Sequence, residues 1–147
     1  MINKMAHGSN KKELALVARW QAWSPYLHSV LRITGAIMFI LAGTVKLFAF
    51  PIGITPNGGT ASLMSQIGIG GILETFGGIL ILLGLFTRPV AFILSGEMAV
   101  AYFQFHFPQN VWPVVNGGVS AVLYCFLWLY FSATGAGPWS LDAKRKK

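Results

Sequence analysis

Apolar residues occur along the chain in four long blocks, which are separated by short stretches of polar and turn-forming residues. The blocks cover residues 29–50, 66–86, 89–107 and 113–134. Each is close to the ~20 residues that a helix needs to cross the hydrocarbon core of a bilayer. The separators hold Pro56-Asn57-Gly58-Gly59 after the first block, Pro89 after the second and Pro108 after the third. The pattern predicts an all-α fold, a four-transmembrane-helix bundle.

A shorter amphipathic segment precedes the first block. Residues 14–23 place Leu16, Val17, Trp20 and Trp23 on roughly one side of a helix. This predicts an N-terminal interfacial helix that lies on the inner leaflet. An irregular segment anchored by its tryptophans is the alternative. The predicted organisation is therefore a cytoplasmic or interfacial segment (1–26), a membrane domain (27–142) and a basic cytoplasmic tail (143–147).

Composition supports a membrane protein. Of the 147 residues, 54% are hydrophobic and only 10% are charged, against about 25% charged in an ordinary soluble domain. The net charge of +7 could suggest nucleic-acid binding, but the basic residues are concentrated at the two ends of the chain. That distribution favours contact with anionic lipid headgroups, and no nucleic-acid partner is expected.

The position of the basic residues also predicts the orientation. The N-terminal segment, the second loop with Arg88, and the C-terminal tail hold all of the lysines and arginines that lie outside the four blocks, whereas loops 51–65 and 108–112 carry no charge. Since loops rich in lysine and arginine stay in the cytoplasm, both termini are predicted to be cytoplasmic in a multi-pass protein of the bacterial inner membrane.

Four ionisable residues, Arg32, Lys46, Glu74 and Glu97, lie inside the apolar blocks. A charge at the centre of a spanning helix costs ~2.5–3.5 kcal/mol on insertion scales, so such residues normally face the bundle interior. Arg32 and Lys46 are fourteen residues apart and fall within ~40° of each other on the first helix. Lys46 and Glu74 are predicted to form an ion pair. Glu97 either pairs with Arg32 or carries a proton, and Arg32 either faces the interior or extends to the inner headgroups.

His106 is predicted at the outer end of the third span, on the opposite side of the helix from Glu97. It is either a hydrogen-bonding interface residue or a ligand-binding residue. The sequence has a single cysteine, Cys125, and no haem-attachment or metal-ligand spacing. No metal and no covalently bound cofactor are therefore expected.

Small and polar residues predict where the helices contact one another. Glycine allows close approach of helix backbones in lipid. Glycines repeat at intervals of seven in the second span, with two more beside them, and a polar stripe at intervals of four follows in the fourth span. The predicted helix-packing residues are Gly70, Gly71, Gly77, Gly78, Gly84, Asn116, Ser120 and Tyr124.

Several stretches together give the chain a family resemblance. They are Leu31-Arg32, GTVKLFAFP at 43–51, GILETFGG at 71–78, LGLFTRP at 83–89, Trp112-Pro113 with Asn116-Gly117-Gly118, and GAGPWSLD at 135–142. In this ordered combination, which spans residues 27–142, the sequence resembles the DoxX family of small bacterial membrane proteins. Members of that family often have a glutamate directly after the Asn-Gly-Gly sequence, where this chain has Val119.

The resemblance implies a four-helix bundle in the cytoplasmic membrane. The family is named after a subunit linked to thiosulfate:quinone oxidoreduction, and its members are associated with membrane oxidoreductase assemblies. The leading hypothesis is a quinone-associated subunit, in which Arg32, Lys46, Glu74, Glu97 and His106 line a polar interior. Partners would be the lipid bilayer and other membrane subunits or further copies of the chain. The alternatives are a non-catalytic accessory subunit of a larger complex and a carrier of a small hydrophobic or sulfur-containing molecule.

Overall fold

Four main helices pack against one another, and a short fifth helix follows them. The structure is a computed structural model that describes the backbone of residues 2–145 and the side chains of residues 13–145. These residues form helices and no strand, as the apolar pattern predicts. The helices are α1 (Ile2–Phe48), α2 (Gln66–Leu83), α3 (Thr87–Ala101), α4 (Val119–Thr134) and α5 (Leu141–Lys144).

Two of the helices contain or end in a wider π-helical turn. In α2 the π-helical turn covers Leu73–Gly77, between α-helical parts at Gln66–Ile72 and Gly78–Leu83. Helix α3 continues beyond Ala101 as a π-helical segment, Tyr102–His106. Such turns insert one residue into a helix and occur frequently at functional sites. Both of them lie beside the cavity described in the next section.

Two stretches are long and apolar enough to cross a membrane, namely Glu13–Phe48 in α1 and Gln66–Leu83, while Val119–Thr134 is a shorter apolar helix. The fourth helix begins at Val119 because residues 111–118 form turns instead of the predicted helical start at 113. The segment 14–23 is helical as predicted, but it is not a separate interfacial helix. It continues through Pro25 into the rest of α1. The side chains of Lys4, Lys11, Lys12, Lys146 and Lys147 lie outside the described residues.

The buried face of α1 follows the helical period. Ser29, Arg32, Ala36, Phe39 and Gly43 are all buried, at spacings of three and four residues. Phe39 and Gly43 therefore share the inward face of α1 with Arg32. Phe39 contacts Trp128 of α4 with ring centroids 5.3 Å apart. Trp128, Phe131, Leu94 and Ile81 complete this core.

Small residues allow α1 and α2 to approach closely. A Cβ atom added at Gly43 would lie 2.7 Å from the Thr75 backbone nitrogen and 2.8 Å from the Gly71 carbonyl oxygen. Gly71 and Gly78 also face α1, whereas Gly70 and Gly77 face Glu97 and Leu94 of α3. These four glycines lie at helix contacts, as predicted. Gly84 ends α2 in the left-handed conformation (φ 64°), which glycine adopts without steric cost. It also lies at a close contact, because an added Cβ atom would meet Ser140 and would be 3.2 Å from the Arg32 Cζ of α1.

Substitution of Gly43 by alanine is expected to destabilise the protein by about 1–3 kcal/mol, because the new methyl group meets backbone atoms that cannot rotate away. Gly96→Ala is the matched control, since a Cβ atom added at Gly96 has no neighbour within 4 Å. Denaturant titration of the two variants in detergent micelles would measure the difference. Equal stability of both variants would contradict the close approach at Gly43.

The predicted polar stripe on the fourth helix is not formed. Asn116 lies in the preceding turn, where its side chain donates to the Asn110 carbonyl (2.6 Å) and accepts from the Gly118 N–H (2.7 Å). Ser120 is exposed. Tyr124 packs against Phe39 at a centroid distance of 5.0 Å. The prediction assumed a helix from residue 113, and the turn at 111–118 removes the spacing of four on which it depended.

Candidate functional site

Lys46 and Glu74 form the ion pair that was predicted from their depth in the two helices. The Lys46 Nζ lies 2.5 Å from the Glu74 carboxylate. Exposure differs between the partners, with 3% for the Glu74 side chain and 23% for that of Lys46. Glu74 lies within the π-helical turn of α2 and is covered by protein, whereas Lys46 reaches the wall of a cavity.

That cavity, with a volume of about 610 Å³, lies between α2 and α3. Its walls are mostly apolar, and the loop after α1 contributes Ile54. This loop folds back over the end of α1, where the Ala61 N–H donates to the Lys46 carbonyl (2.8 Å). Polar groups on the cavity wall come from Lys46, Gln66, Glu97, Gln104 and His106.

Glu97 is the one carboxyl group on the cavity wall within the described part of the chain. Its Oε1 would lie 3.3 Å from a Cβ atom at Gly70, which shows how closely α2 and α3 approach at this level. Its Oε2 is buried and makes no hydrogen bond with the described residues. The charge of Glu74 disfavours a negative charge on Glu97, whereas the charge of Lys46 favours it. Glu97 is therefore a polar group at the cavity with unused hydrogen-bonding capacity.

His106 lies on the same cavity, and the prediction that it faces away from Glu97 is wrong. Nine residues separate the two, which in a regular α-helix is two and a half turns and places them on opposite sides. The π-helical turn Tyr102–His106 contains an extra residue, so the regular α-helical spacing between Glu97 and His106 does not apply. The His106 Nδ1 donates to the Asn116 carbonyl at 2.9 Å. In the neutral ring, Nε2 is then the hydrogen-bond acceptor.

Arg32 does not belong to this cavity. It is fully buried, and its guanidinium donates to the carbonyls of Ala136 (2.9 Å), Leu82 (2.6 Å), Trp139 (2.5 Å) and Ile81. Arg32 faces the interior, which is one of its two predicted alternatives, whereas the pair with Glu97 and the extension to the headgroups are not formed. Carbonyls at the end of α2 attract a cation because they lack helical partners and carry the negative end of the helix dipole.

Comparison with known proteins identifies the family. A sequence model of the DoxX family matches residues 27–107. An uncharacterised protein from Haemophilus influenzae is 46% identical over 127 residues, which cover 84% of this chain and 94% of that protein. The chain belongs to the DoxX family. No solved structure matches it.

The DoxX match covers Arg32 and all the ionisable groups of the cavity, but it ends before the C-terminal segment that holds Arg32 in place. No role for Gln66, Ile54 or Asp142 is predicted from the sequence. Gln66 is a polar residue at the start of the second apolar block, and this position could have indicated that it faces the cavity. Within residues 13–145 no group of three His, Cys, Asp or Glu side chains is close enough to hold a metal ion.

Asp142 joins the C-terminal segment to the start of α3 in this DoxX protein. Its two carboxylate oxygens accept from the N–H groups of Phe86 and Thr87, each at 2.9 Å. Partial burial raises the pKa of Asp142, but the hydrogen bonds from Thr87 and Phe86 and the charge of Arg145 lower it more. The pKa therefore lies below its ordinary value, and the ionised form is the one that stabilises the fold.

Acid is accordingly expected to weaken this connection. The stabilisation by Asp142 is fully present above the ordinary carboxyl pKa of ~3.9 and is lost as the pH falls through the lower folded-state value. Asp142→Asn should cost about 0.5–2 kcal/mol at pH 7, as loss of a helix cap does. The difference from the unmodified protein should shrink below about pH 4. A difference that stays constant from pH 7 to pH 3 would contradict a role for the charge.

Proposed function

We propose that this DoxX-family membrane protein crosses the bacterial inner membrane four times. Residues Thr87–Ala101 and Tyr102–His106 together form a third helical stretch of 20 residues, or about 30 Å, which matches the hydrocarbon core. Helix α4 has 16 residues and reaches about 24 Å. The turn at 111–118, part of it buried, precedes it and would complete the crossing.

Both termini would face the cytoplasm in this arrangement. Arg88, Lys144 and Arg145 lie at the end of the helices where α2 turns into α3 and where the chain ends. The loops at the other end, 51–65 and 108–118, contain no charged residue. The distribution of positive charge supports this orientation. Cysteines introduced at positions 58 and 110 should react with a membrane-impermeant thiol reagent that is added outside intact spheroplasts, and this labelling would test the orientation.

Within the membrane, we infer that the cavity between α2 and α3 binds the head group of a quinone and that the chain is a quinone-associated subunit of a membrane oxidoreductase. The observation that supports this best is the position of polar groups in an apolar cavity that opens toward the surface of the helices. Ile67, Ile69, Ile93 and Val100 on its walls are between 38% and 55% exposed. A molecule dissolved in the acyl chains could enter between them.

The residues present fit such a group. The cavity of about 610 Å³ lies within the ~300–1,000 Å³ of typical ligand sites, which are mostly apolar with a few convergent polar groups. Glu97 is on the cavity wall, and its Oε2 is buried and makes no hydrogen bond with the described residues. A buried oxygen without a hydrogen bond is energetically costly. A rotation of the carboxyl group would bring this oxygen to the cavity, where a ligand hydroxyl would donate to the ionised form and a ligand carbonyl would accept from the protonated form.

Four side chains have distinct capacities at the site. The Lys46 ammonium, held by Glu74, and the Gln104 amide can donate to a carbonyl oxygen. Glu97 in its protonated form can donate a hydrogen bond and release the proton. His106 Nε2 can accept from a hydroxyl. When bound, a quinone supplies two-electron, two-proton redox chemistry, and its electrons would come from a partner subunit, since the sequence has no haem-attachment motif.

Replacement of Glu97 by leucine is expected to weaken quinone binding about ten- to a hundredfold, since a hydrogen bond to an ionisable group in an apolar site is worth ~1.5–3 kcal/mol. Glu97→Gln keeps a donor, so it should preserve binding within about threefold but slow quinone-linked electron transfer in membranes, because an amide releases no proton. Binding can be measured by titrating the purified full chain with a short-tailed quinone in detergent.

Glu13→Gln is the matched control, because it removes a carboxyl group from an exposed part of α1 far from the cavity. It should behave like the unmodified protein in both assays. Equal quinone affinity of the Glu97→Leu and Glu13→Gln variants would refute the site. Binding of a small sulfur-containing or apolar molecule in place of quinone, with the same sensitivity to Glu97→Leu, would instead support the carrier function.

A further inference from the structure

A second cavity lies at the opposite end of the helices from the quinone site. It has a volume of about 460 Å³ and is formed where the turn between α2 and α3 meets the segment after α4. Arg88 and Arg145 contribute to its lining, together with Asp142 and Gly135. None of these residues lines the cavity proposed to bind quinone.

The two arginines bring unneutralised charge to this cavity. Within the side chains that the structure describes, the single ion pair is that of Lys46 and Glu74, so neither arginine lies within 4 Å of a carboxylate. Asp142 is the one acidic residue in the lining. Its oxygens already accept from two backbone N–H groups. With two guanidinium groups and one carboxylate, the lining keeps a net charge of +1.

Both guanidinium groups have a defined environment. Arg145 lies over the ring of Phe86, 4.9 Å from the centroid, a cation–π arrangement. The Arg88 Nε lies beside Gly135, where an added Cβ atom would be 3.4 Å away. Gly135 has a φ of 85°, so both its backbone conformation and the space for Arg88 favour glycine.

Exposed apolar residues include Phe86 in the cavity lining and Trp139 and Leu141, which flank the lining residue Ser140 in the sequence. Phe86 is 52% exposed, Trp139 is 53% exposed and Leu141 is 37% exposed. Aromatic residues of this kind occupy the interface between the acyl chains and water, where lipid headgroups lie. A soluble ligand would not require this apolar surface. A lipid would use both features, because its headgroup would occupy the cavity and its acyl chains would contact the apolar residues.

We propose that this cavity binds the phosphate group of an anionic phospholipid through Arg88 and Arg145. The planar guanidinium donates two parallel hydrogen bonds to phosphate oxygens, which a lysine ammonium cannot do. The site differs in this respect from the general attraction of basic residues to an anionic leaflet, which depends on charge alone. The proposal requires the membrane character of the family and is independent of quinone binding.

Titration of the full chain in detergent with phosphatidylglycerol, followed by native mass spectrometry, would test the site. Arg88→Lys and Arg145→Lys preserve the charge, and with it the membrane orientation, but lose the paired hydrogen bonds. Each is expected to weaken phosphatidylglycerol binding about three- to tenfold. Lys144→Gln removes a charge from the neighbouring position, which does not line the cavity, and should change the affinity less than twofold by the small energy of exposed charges.

Two results would overturn the proposal. One is an affinity that falls as much in Lys144→Gln as in the two arginine variants, because general electrostatics would then explain binding. The other is displacement of phosphatidylglycerol by inorganic phosphate at millimolar concentration, which would assign the cavity to a soluble phosphate compound. Retained binding in excess phosphate, together with weak binding of phosphatidylcholine, would support the anionic phospholipid.

Discussion

Replacement of Lys46 by methionine is expected to destabilise the protein by about 3–5 kcal/mol, the cost of removing one partner from a buried ion pair. The methionine fills similar space, so the loss would come from Glu74. That carboxylate is 3% exposed and takes both of its side-chain hydrogen bonds from Lys46. Without them it must either stay charged in an apolar environment or take up a proton. Denaturant titration of the full chain in mixed micelles would measure the free energy of unfolding.

Two companion variants show whether the ion pair is the cause. Glu74→Gln should cost less than Lys46→Met, because Lys46 is 23% exposed and can reach solvent or headgroups when it loses its partner. The double variant Lys46→Met with Glu74→Leu should regain much of the stability, since replacement of a whole buried pair by apolar groups is often close to neutral. A double variant whose loss of stability equals the sum of the losses in the single variants Lys46→Met and Glu74→Leu would contradict this account.

Features that depend on the geometry of a single helix could be predicted from the sequence. The inward face of α1 follows from the spacing of Arg32, Phe39 and Gly43, because the helical period fixes which residues share a side. The Lys46–Glu74 pair needed one further assumption, that α1 and α2 are neighbours running in opposite directions. A short connection between the two spans makes that the natural arrangement.

Where the helical period is interrupted, predictions from regular helical spacing are wrong. The π-helical turn at Tyr102–His106 moves His106 onto the cavity, and no sequence signal for that extra residue was recognised. The turn at 111–118 likewise takes Asn116 out of the fourth helix. The fixed spacings of regular helices do not apply across such segments. As a result, the polar groups of the candidate site were identified individually, but their grouping was only partly predicted.

The environment of Arg32 was missed for a different reason. Its partners are backbone carbonyls, and every residue has one, so they leave no signature in the sequence. From the sequence, the candidate partners of Arg32 are a carboxylate and a lipid headgroup. The four carbonyls become available because α2 ends at Gly84 and because residues 135–140 fold back against α1. Only the tertiary structure brings these two segments together.

Arg32→Met is accordingly expected to destabilise the protein by about 3 kcal/mol or more. The Ile81 carbonyl keeps a second donor, the Gly84 N–H at 3.0 Å, so the loss falls mainly on Leu82, Ala136 and Trp139. Each carbonyl left buried without a partner costs ~1–3 kcal/mol. The effect should be strongest on the C-terminal segment, where limited proteolysis near residues 135–140 would detect it.

Arg32→Lys separates the hydrogen-bonding role from the charge. A lysine keeps the cation near the end of α2, but its ammonium has three donors on one atom and cannot reach carbonyls on both α2 and the C-terminal segment. Its stability should therefore lie between that of the unmodified protein and that of Arg32→Met, with proteolysis near 135–140 still increased. If Arg32→Lys were as stable and as protease-resistant as the unmodified protein, charge alone would hold the segment, and the fork of the guanidinium would have no role in joining the two ends of the fold.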